Sequence, residues 1–318
     1  MAPSDFSSQT YWENRFLARQ TPFEWLLGVD DTTGILDPFI RDNVDPEKSA
    51  AILHIGCGTS DLSWRLRDYV SCPKQVHNVD FSVEAVNIGR RREEELLAAR
   101  QGRGNSNEMP VEPGQSHMRW TAVDLLSMPR VRSLLDHDSK LYDVIVDKST
   151  SDAVACGGYI TMLSIRKGSG VGGDFGENSW PVSVHPVEVL ALNLAAVTAV
   201  GCRWVSISYS GSRFWFVERN EGDPVKATAI RTTGTIPPQS DGSHYIAPYI
   251  FWRLEKKEQI ELPEPGFGGS ADNVHRPQVY HWLMDFTGSV VISGEKRCAI
   301  RDGSFEHGTA VAAFPYKI

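Results

Sequence analysis

The sequence predicts an α/β fold in which a mainly parallel sheet carries helices on both faces and an antiparallel pair of strands at one edge. Short β-branched runs alternate with stretches of helical periodicity as far as Tyr209, which is the pattern of strand–helix–strand units. Three apolar runs end on an aspartate, at Asp80, Asp124 and Asp147. Because the carboxyl ends of parallel strands meet at one edge of a sheet, we expect these carboxylates to lie there together.

The first half of the chain contains four predicted strands with helices before and between them. The strands are Ala51–Ile55, Gln75–Val79, Met118–Val123 and Tyr142–Val146. The helices are Tyr11–Arg19, Ile35–Arg41, Ser60–Tyr69 and a longer one that follows Ser82. The Ser82 hydroxyl is a good N-cap, since it can accept a hydrogen bond from a free backbone N–H. In that helix the basic residues 90–92 run into the acidic residues 93–95, which indicates a solvated helix face rather than a binding site.

The second half of the chain is less regular. A glycine-rich loop is predicted over Gly157–Trp180, followed by a helix over His185–Val200 that Gly201 ends in a left-handed conformation. The fifth strand is predicted at Trp204–Tyr209, and the antiparallel edge pair at Val225–Thr232 and Tyr245–Leu254. Beyond Glu261 the spacing is irregular, with "YHWLMDF" and "SVVIS" as the clear apolar runs.

Composition limits the classes of function. The 318 residues are 41% hydrophobic and carry 32 basic against 40 acidic side chains, so we expect no nucleic-acid or anionic membrane partner. The five cysteines lack metal-ligand spacing, so no metal site is predicted. The apolar stretch Val187–Val200 is too short for a membrane span of about 20 residues. The N-terminus lacks the pattern of a secretory signal, so a cytoplasmic location is expected, with the nucleus as an open alternative.

A nucleoside site is predicted where the first two strands end. Gly56 and Gly58 follow the first strand, and glycine there permits positive φ and close approach of a ligand to the backbone. Asp80 ends the second strand, at about the 20-residue distance at which a carboxylate binds a ribose diol. Either glycine or carboxylate alone is compatible with a purely structural turn, but their order along the chain indicates a bound nucleoside derivative.

The type of nucleoside follows from the position that a third glycine takes in dinucleotide-binding folds. Asp61 stands there, and a carboxylate would repel a pyrophosphate, which argues against nicotinamide and flavin cofactors. S-adenosylmethionine carries a ribose, an adenine and cationic groups but no phosphate, so an acidic strand edge suits it. Asp124 fits an acceptor for the adenine amino group. Asp147 fits a partner for the methionine portion or for the substrate.

Several motifs together resemble a known family. The stretch "ILHIGCGTSDLS" is similar to motif I of class I S-adenosylmethionine-dependent methyltransferases. The motifs "YWENRF", "PFEWLLG", "NVDFS", "VDLLSMP" and "YDVIVDKSTSDAV", in this order, resemble the methyltransferase-like family that contains the lysine methyltransferases of eukaryotic elongation factor. The similarity covers about residues 10–256, and its most specific part is the stretch from Asp147 to Ala153.

The resemblance implies a Rossmann-like class I methyltransferase with a seven-stranded, mostly parallel sheet and an antiparallel edge hairpin. Residues 1–45 would be an N-terminal helical segment that closes over the cofactor site, 46–258 the S-adenosylmethionine-binding domain, and 259–318 an extension whose role the sequence does not indicate. The cofactor-binding residues implied are Trp12, Arg15, Trp25, Gly56, Cys57, Gly58, Asp80, Phe81, Asp124, Leu125 and Asp147, with Tyr11 in the same N-terminal segment.

The sequence departs from the family at positions that flank the acceptor site. Asparagine is usual where Thr59 stands, and glycine-threonine-leucine is usual at 149–151, where this chain has serine, threonine and serine. The glycine-rich loop and the C-terminal tail have no counterpart in the resemblance. Cofactor use is therefore the firmer expectation, and the identity of the acceptor stays open.

Methyl transfer from a sulfonium requires alignment and exclusion of water, and a base only when the acceptor arrives protonated. Asp147 and Asp152 are the candidate bases, with a positioning role as the alternative for both. His185 is more typical of a helix cap than of a base. An aromatic acceptor wall and simple core packing are the two interpretations of Phe175, Trp180, Phe214 and Trp215.

Three functions follow from these features. The first is a methyltransferase that acts on a nucleophilic nitrogen or oxygen, such as a protein lysine. The second is a methyltransferase for a small molecule, with the glycine-rich loop as a lid. The third is a non-catalytic binding subunit with the methyltransferase fold, which the complete set of cofactor motifs disfavours.

Overall fold

A computed structural model describes residues 5–43, 50–101, 117–135, 140–165, 179–218, 248, 251–260 and 279–286. The strands are β1 (Ile52–Ile55), β2 (Val76–Asp80), β3 (Arg119–Ala122), β4 (Tyr142–Lys148), β5 (Ile160–Ile165), β6 (Ser179–Val184), β7 (Thr198–Ser208), β8 (Trp252–Ile260) and β9 (Val279–Phe286). The helices are α1 (Gln9–Ala18), α2 (Val29–Asn43), α3 (Leu62–Arg67), α4 (Val83–Gln101), α5 (Met128–Arg132), α6 (Thr150–Val154), α7 (Pro186–Ala195) and α8 (Trp215–Glu218), with a 3-10 turn at Pro73–Gln75.

The main sheet has seven strands in the order β3-β2-β1-β4-β7-β9-β8. Strands β3, β2, β1, β4 and β7 run parallel to one another. Strand β9 is antiparallel to both β7 and β8. The predicted α/β fold with an antiparallel edge is confirmed. Strand order reverses between β1 and β4, and in open α/β sheets the ligand crevice lies at the carboxyl ends of the strands on either side of that point.

The antiparallel edge is built from different segments than predicted. β8 overlaps the predicted strand Tyr245–Leu254, but β9, its partner in the sheet, comes from the "YHWLMDF" stretch, inside the predicted extension 259–318. The other predicted edge strand, Val225–Thr232, lies outside the described residues. β9 pairs on both sides, with β7 and with β8, so these residues are part of the seven-stranded sheet.

The structure also differs from the prediction at the glycine-rich loop and at the helix that follows it. β5 and β6 form an antiparallel pair at the two ends of the predicted loop Gly157–Trp180, because the run Ile160–Ile165 is rich in β-branched and apolar residues. The helix predicted over His185–Val200 ends at Ala195, and the chain re-enters extended structure at Thr198. Gly201 does have positive φ, 84°, but it lies in an irregular stretch of β7 and does not cap the helix.

Helix α4 has the predicted N-cap, but the face predicted to be solvated is partly buried. The Ser82 hydroxyl accepts a hydrogen bond from Ala85 N at 3.1 Å. The predicted solvated face at residues 90–95 is wrong for two side chains. Glu93 is buried and accepts from Met118 N and Trp120 Nε1, each at 2.8 Å. Arg92 donates to Thr59 O and pairs with Asp61, so it binds the turn that follows β1.

Two apolar layers enclose the sheet. One layer is centred on the buried aromatic side chains Trp204, Phe214, Trp252 and Trp282, and the other on Leu36, Ile40, Val144, Val146 and Val205. Phe214 is fully buried and Trp215 packs against the first layer, so core packing is the correct interpretation for these two aromatics. Phe175 and the Trp180 side chain lie outside the described residues. Within the described parts of the chain, no helix combines the length and apolar character needed to cross a membrane.

Two helical glycines make a matched test of this packing. A Cβ at Gly89 of α4 would lie 2.3 Å from the Trp120 ring, whereas one at Gly34 of α2 would meet nothing within 4 Å. We expect Gly89→Ala to lower the free energy of unfolding by about 1–3 kcal/mol through overpacking. Gly34→Ala should leave it unchanged or raise it by up to about 1 kcal/mol. Urea unfolding followed by circular dichroism measures both, and equal effects would contradict the packing of α4 on β3.

Candidate functional site

The turn after β1 has the geometry that the glycine pair predicts. Gly56 and Gly58 have φ of 56° and 50°, values that other residues rarely adopt. A Cβ on Gly56 would lie 2.0 Å from Thr150 Oγ1, so the turn packs directly against the start of α6. Cys57 between them is buried, and its N–H donates to Val79 O at 3.0 Å. The Cys57 side chain therefore packs in the core, and burial raises the pKa of its thiol.

Asp80 joins the ends of β1 and β2. One carboxylate oxygen accepts from Gly58 N and the other from Ser82 N, both at 2.8 Å. The side chain is 7% exposed, and burial raises the pKa of this carboxyl to about 6, while the backbone hydrogen bonds oppose the rise. A carboxylate can accept about four hydrogen bonds, so the backbone donors do not exhaust its capacity to accept from a ligand hydroxyl.

A second carboxylate at this edge, Glu24, was not among the predicted site residues. Glu24 accepts from Asp61 N at 2.8 Å and from the Ser60 hydroxyl at 2.8 Å, and it pairs with the buried ammonium of Lys148. It thus binds the N-terminal end of α3, directly after the glycine turn. Its motif, "PFEW", is part of the resemblance, but nothing in the sequence indicates contacts with residues so distant along the chain.

Glu13 of α1 makes a similar contact with α4. Its carboxylate accepts from Val83 N at 2.7 Å, from Glu84 N at 3.1 Å and from the Ser82 hydroxyl at 2.9 Å. Gln9 adds a hydrogen bond to Phe81 O at 2.9 Å. The N-terminal segment is therefore attached to both helices that flank the ends of β1 and β2.

Aromatic side chains of the N-terminal segment cluster over the glycine turn. Trp12 lies 5.8 Å from Phe16 and 5.4 Å from Trp25, measured between ring centroids. The Phe16 ring is 3.4 Å from the position of a Cβ on Gly58. The remaining members of the predicted N-terminal group are part of the same cluster, with Tyr11 at 5.1 Å from Trp12 and the Arg15 guanidinium stacked 3.9 Å above Phe23. The structure therefore brings the predicted N-terminal residues to the predicted site.

The predicted residues of the third strand end differ in exposure. Asp124 is half-buried, and one of its oxygens accepts from Leu126 N at 2.9 Å in the turn after β3. Leu125 is buried, and its carbonyl accepts from Asn193 Nδ2 at 2.9 Å. Phe81, next to Asp80, is half-buried. Asp124 thus keeps the partial accessibility that contact with a ligand requires, while Leu125 contributes to the wall behind it.

Asp147 is engaged inside the protein. Its side chain is 0% exposed, and it accepts from Thr150 N and from the Ser206 hydroxyl, each at 2.9 Å. The carboxylate therefore caps α6 and joins β4 to β7. Burial raises its pKa to about 6, with hydrogen bonds from the protein opposing the rise. These contacts account for the complete burial of the carboxylate.

The stretch after Asp147 shows where this chain departs from the family motif. Ser149 has φ of 66°, the left-handed conformation that the glycine usual at this position adopts without strain. Asp152, three residues on, accepts from the Ser208 hydroxyl at 2.7 Å and from Tyr209 N at 2.8 Å, and it pairs with Arg213 at 2.8 Å. The turn at β4 is therefore held by two buried carboxylates.

His185 confirms its interpretation as a helix cap. Its Nδ1 accepts from Val187 N at 3.3 Å at the start of α7. Because Nδ1 accepts, the neutral ring carries its proton on Nε2, and burial lowers the pKa of the ring. Tyr159 contacts the same ring edge-on, with its own ring 69% exposed. Among the described residues, no group of three His, Cys, Asp or Glu side chains could hold a metal ion.

The sheet order and the geometry of the glycine turn together define the fold. A glycine turn after β1, a carboxylate at the end of β2 and an antiparallel last strand inserted at the edge form the Rossmann-like fold of class I methyltransferases. No family model matches the chain. Solved structures with a similar fold include an S-adenosylmethionine-dependent methyltransferase from Anabaena variabilis, with a TM-score of 0.47 and 14% identity over 88% of this chain and 93% of that one.

The chain is also similar to proteins named as methyltransferases, which confirms the resemblance. It is 32% identical to "Methyltransferase srdJ" of Neurospora crassa over 52% of this chain and 60% of the relative. It is 31% identical to the human mitochondrial citrate synthase-lysine N-methyltransferase CSKMT over 43% and 51%, and 26% identical to mouse EEF1A lysine methyltransferase 4 over 64% and 62%. The chain thus spans between half and two thirds of the length of these relatives.

Proposed function

We propose that this chain binds S-adenosylmethionine and transfers its methyl group to a nucleophilic nitrogen or oxygen. The observation that carries the proposal is the position of Glu24. In dinucleotide-binding folds a pyrophosphate binds the free N–H groups at the start of the helix after β1. Here Asp61 N donates to Glu24, and Leu62 N donates to the Ser60 hydroxyl at 3.1 Å.

The carboxylate of Glu24 thus takes the place of a phosphate. A second anion would have to displace it from Asp61 N and from Lys148. Asp61, which was predicted to repel a pyrophosphate, is paired with Arg92. Glu24 rather than Asp61 therefore disfavours a dinucleotide. A nucleoside without phosphate remains compatible with the ribose position at Asp80.

The residues at the strand ends fit S-adenosylmethionine. Asp80 would accept from the ribose hydroxyls, and Asp124 from the adenine amino group, with Phe81 and Leu125 beside them. The backbone of Gly56, Cys57 and Gly58 would face the methionine portion, and Trp12, Arg15 and Trp25 would close over it from the N-terminal segment 1–45. When bound, the cofactor supplies an electrophilic methyl group for in-line displacement.

The chain's own contribution to the reaction would be alignment and exclusion of water. The contacts of Asp147 and Asp152 support positioning roles, because the hydrogen bonds described for them come from α6, from β7, from Tyr209 N and from Arg213. Asp147 holds the turn at β4 against the glycine turn through Thr150, whose hydroxyl donates to Ile55 O at 2.8 Å. An acceptor that arrives as a neutral amine would need no base from either carboxylate.

A protein lysine is the first candidate for the acceptor, and a small molecule is the alternative. Two relatives carry lysine methylation of a protein in their names, and that supports the first candidate. Tyr209, whose N–H donates to Asp152, is 48% exposed, and Tyr159, whose ring contacts His185, is 69% exposed. Exposed aromatic rings of this kind could flank an approaching aliphatic amine. The presence of all the predicted cofactor-binding motifs disfavours a non-catalytic subunit. The net charge of −8 argues against a nucleic-acid partner, and five cysteines without a paired spacing support a reducing compartment such as the cytoplasm.

Calorimetric titration with S-adenosylmethionine, S-adenosylhomocysteine and NAD tests the choice of cofactor. We expect micromolar binding of the first two and none of NAD. Asp80→Ala should weaken binding of S-adenosylhomocysteine by about 1.5–3 kcal/mol, the range for a lost hydrogen bond to a charged group. Glu218→Gln, at an exposed ion pair with Lys257 on the edge strand, is the control. Binding by Asp80→Ala as tight as by the wild type would refute the ribose assignment.

The raised pKa of Asp80 predicts a pH dependence of cofactor binding. The carboxyl has a pKa of about 6 in the folded protein, so it takes up a proton as the pH falls through that value. If the ionised form accepts from the ribose, affinity for S-adenosylhomocysteine should be about tenfold lower at pH 5 than at pH 7.5. Asp80→Asn should bind weakly but with a flat profile. A profile unchanged in Asp80→Asn would assign the titration to another group.

The acceptor is tested by incubating the protein with cell extract and S-adenosylmethionine that carries a labelled methyl group. If a protein lysine is the acceptor, we expect label in a discrete protein band that acid hydrolysis yields as methyllysine. Asp80→Ala should lose this label in proportion to its weaker cofactor binding. Label only in the low-molecular-weight fraction would select the small-molecule alternative, and no label in either fraction, despite cofactor binding, would contradict methyl transfer.

A further inference from the structure

Lys148 and Glu24 form an ion pair between the last residue of β4 and the N-terminal segment. The Lys148 side chain is only 5% exposed, and its ammonium also donates to Leu27 O at 3.3 Å. Both partners of this ammonium therefore come from the N-terminal segment. If that segment left the sheet, a cation at the centre of the fold would lose its charge partner, which is strongly unfavourable in a buried setting.

The other contacts of Glu24 lie on the cofactor turn. Its carboxylate holds Asp61 N and the Ser60 hydroxyl, the two groups that follow Gly58 and Thr59. Thr59 is itself tied to the N-terminal segment, since its hydroxyl donates to Thr21 O at 3.1 Å. The residues that follow Gly58 are thus held by the N-terminal segment, whereas Gly58 itself is held by Asp80.

The backbone of the segment is bent to make this contact. Leu26 has φ of 68°, and Leu27 N donates to Trp25 O at 2.9 Å, which is a γ-turn of the rarer, strained form. The bend turns Leu27 O toward the Lys148 ammonium. Strained turns of this type persist where the surrounding contacts determine the conformation, and here the contacts are those of the ion pair.

We propose that Glu24, held by Lys148, is a positioning residue for the cofactor, so that seating of the N-terminal segment and binding of the nucleoside are coupled. The inference rests on the proposed function for the identity of the ligand, but the positioning of the turn does not depend on it. Loss of the carboxylate charge releases Asp61 N and Ser60, and the turn then samples conformations in which Gly58 N no longer faces Asp80.

The first measurement is hydrogen–deuterium exchange of the protein without any ligand. Glu24→Gln should raise the exchange of the amides of Asp61 and Leu62, because the charged acceptor is gone. Glu218→Gln removes the charge of an exposed ion pair on α8 and should leave these amides unchanged. This readout is independent of any cofactor, so it decides the positioning of the turn even if the wild type binds no S-adenosylhomocysteine, a result that would refute the proposed function alone.

The second measurement is calorimetric affinity for S-adenosylhomocysteine, made at a temperature where circular dichroism shows each variant to be folded. We expect about tenfold weaker binding by Glu24→Gln, the effect of one charged hydrogen bond. In the double variant with Lys148→Met, which removes both charges, the loss should be no greater than in Glu24→Gln alone. In methyl-transfer assays KM for S-adenosylmethionine should rise by a similar factor while kcat at saturation stays within twofold, a split that general destabilisation does not produce.

Ser60→Ala serves if Glu24→Gln does not fold, because it removes one donor to the carboxylate and leaves the ion pair intact. It should weaken S-adenosylhomocysteine binding about threefold. The proposal is overturned if a folded Glu24→Gln, or Ser60→Ala in its place, binds S-adenosylhomocysteine as tightly as the wild type. Faster exchange at Asp61 without any loss of affinity would equally overturn the coupling.

Discussion

The hydrogen bond from Gly58 N to the Asp80 carboxylate is the contact on which the cofactor edge depends. It joins the turn after β1 to the end of β2, and the positive φ of the glycines makes it possible. Asp80 would be a poorly solvated charge without this donor and Ser82 N, since burial already raises its pKa. The same carboxylate thus stabilises the turn and is the group proposed to accept from a ligand diol.

At this edge a carboxylate binds free N–H groups at the start of α3, α4 and α6; for α3 and α4 it comes from the N-terminal segment, and for α6 from the end of the preceding strand. Glu24 binds the start of α3, Glu13 the start of α4, and Asp147 the start of α6. A carboxylate at a helix N-terminus is favourable because the free N–H groups there carry partial positive charge. Since the chain supplies these anions itself, the partial positive charge at the three helix starts is already matched within the protein.

The sequence was sufficient for the sheet core and for the carboxylates at the ends of β2 and β3. The runs that became β1 to β4 are short, apolar and followed by turn residues, so local pattern alone predicts them. The strand β9 was not predicted because it pairs with β7 and β8 across the length of the chain, and no local signal encodes that partner. Glu13 and Glu24 were missed for the same reason. Their partners are remote in sequence, and an acidic residue near a helix is usually solvent-exposed.

The insertion of β9 between β7 and β8 has a consequence for the order in which the fold can assemble. A chain emerging from the ribosome presents β7, with the apolar Trp204 and Val205, before the strand that covers its open edge has been synthesised. β8 emerges next, but its partner in the sheet is β9, so it cannot join the sheet until β9 has been synthesised. The parallel half of the sheet can therefore form early, while the antiparallel half closes last, through contacts of long sequence separation that form slowly.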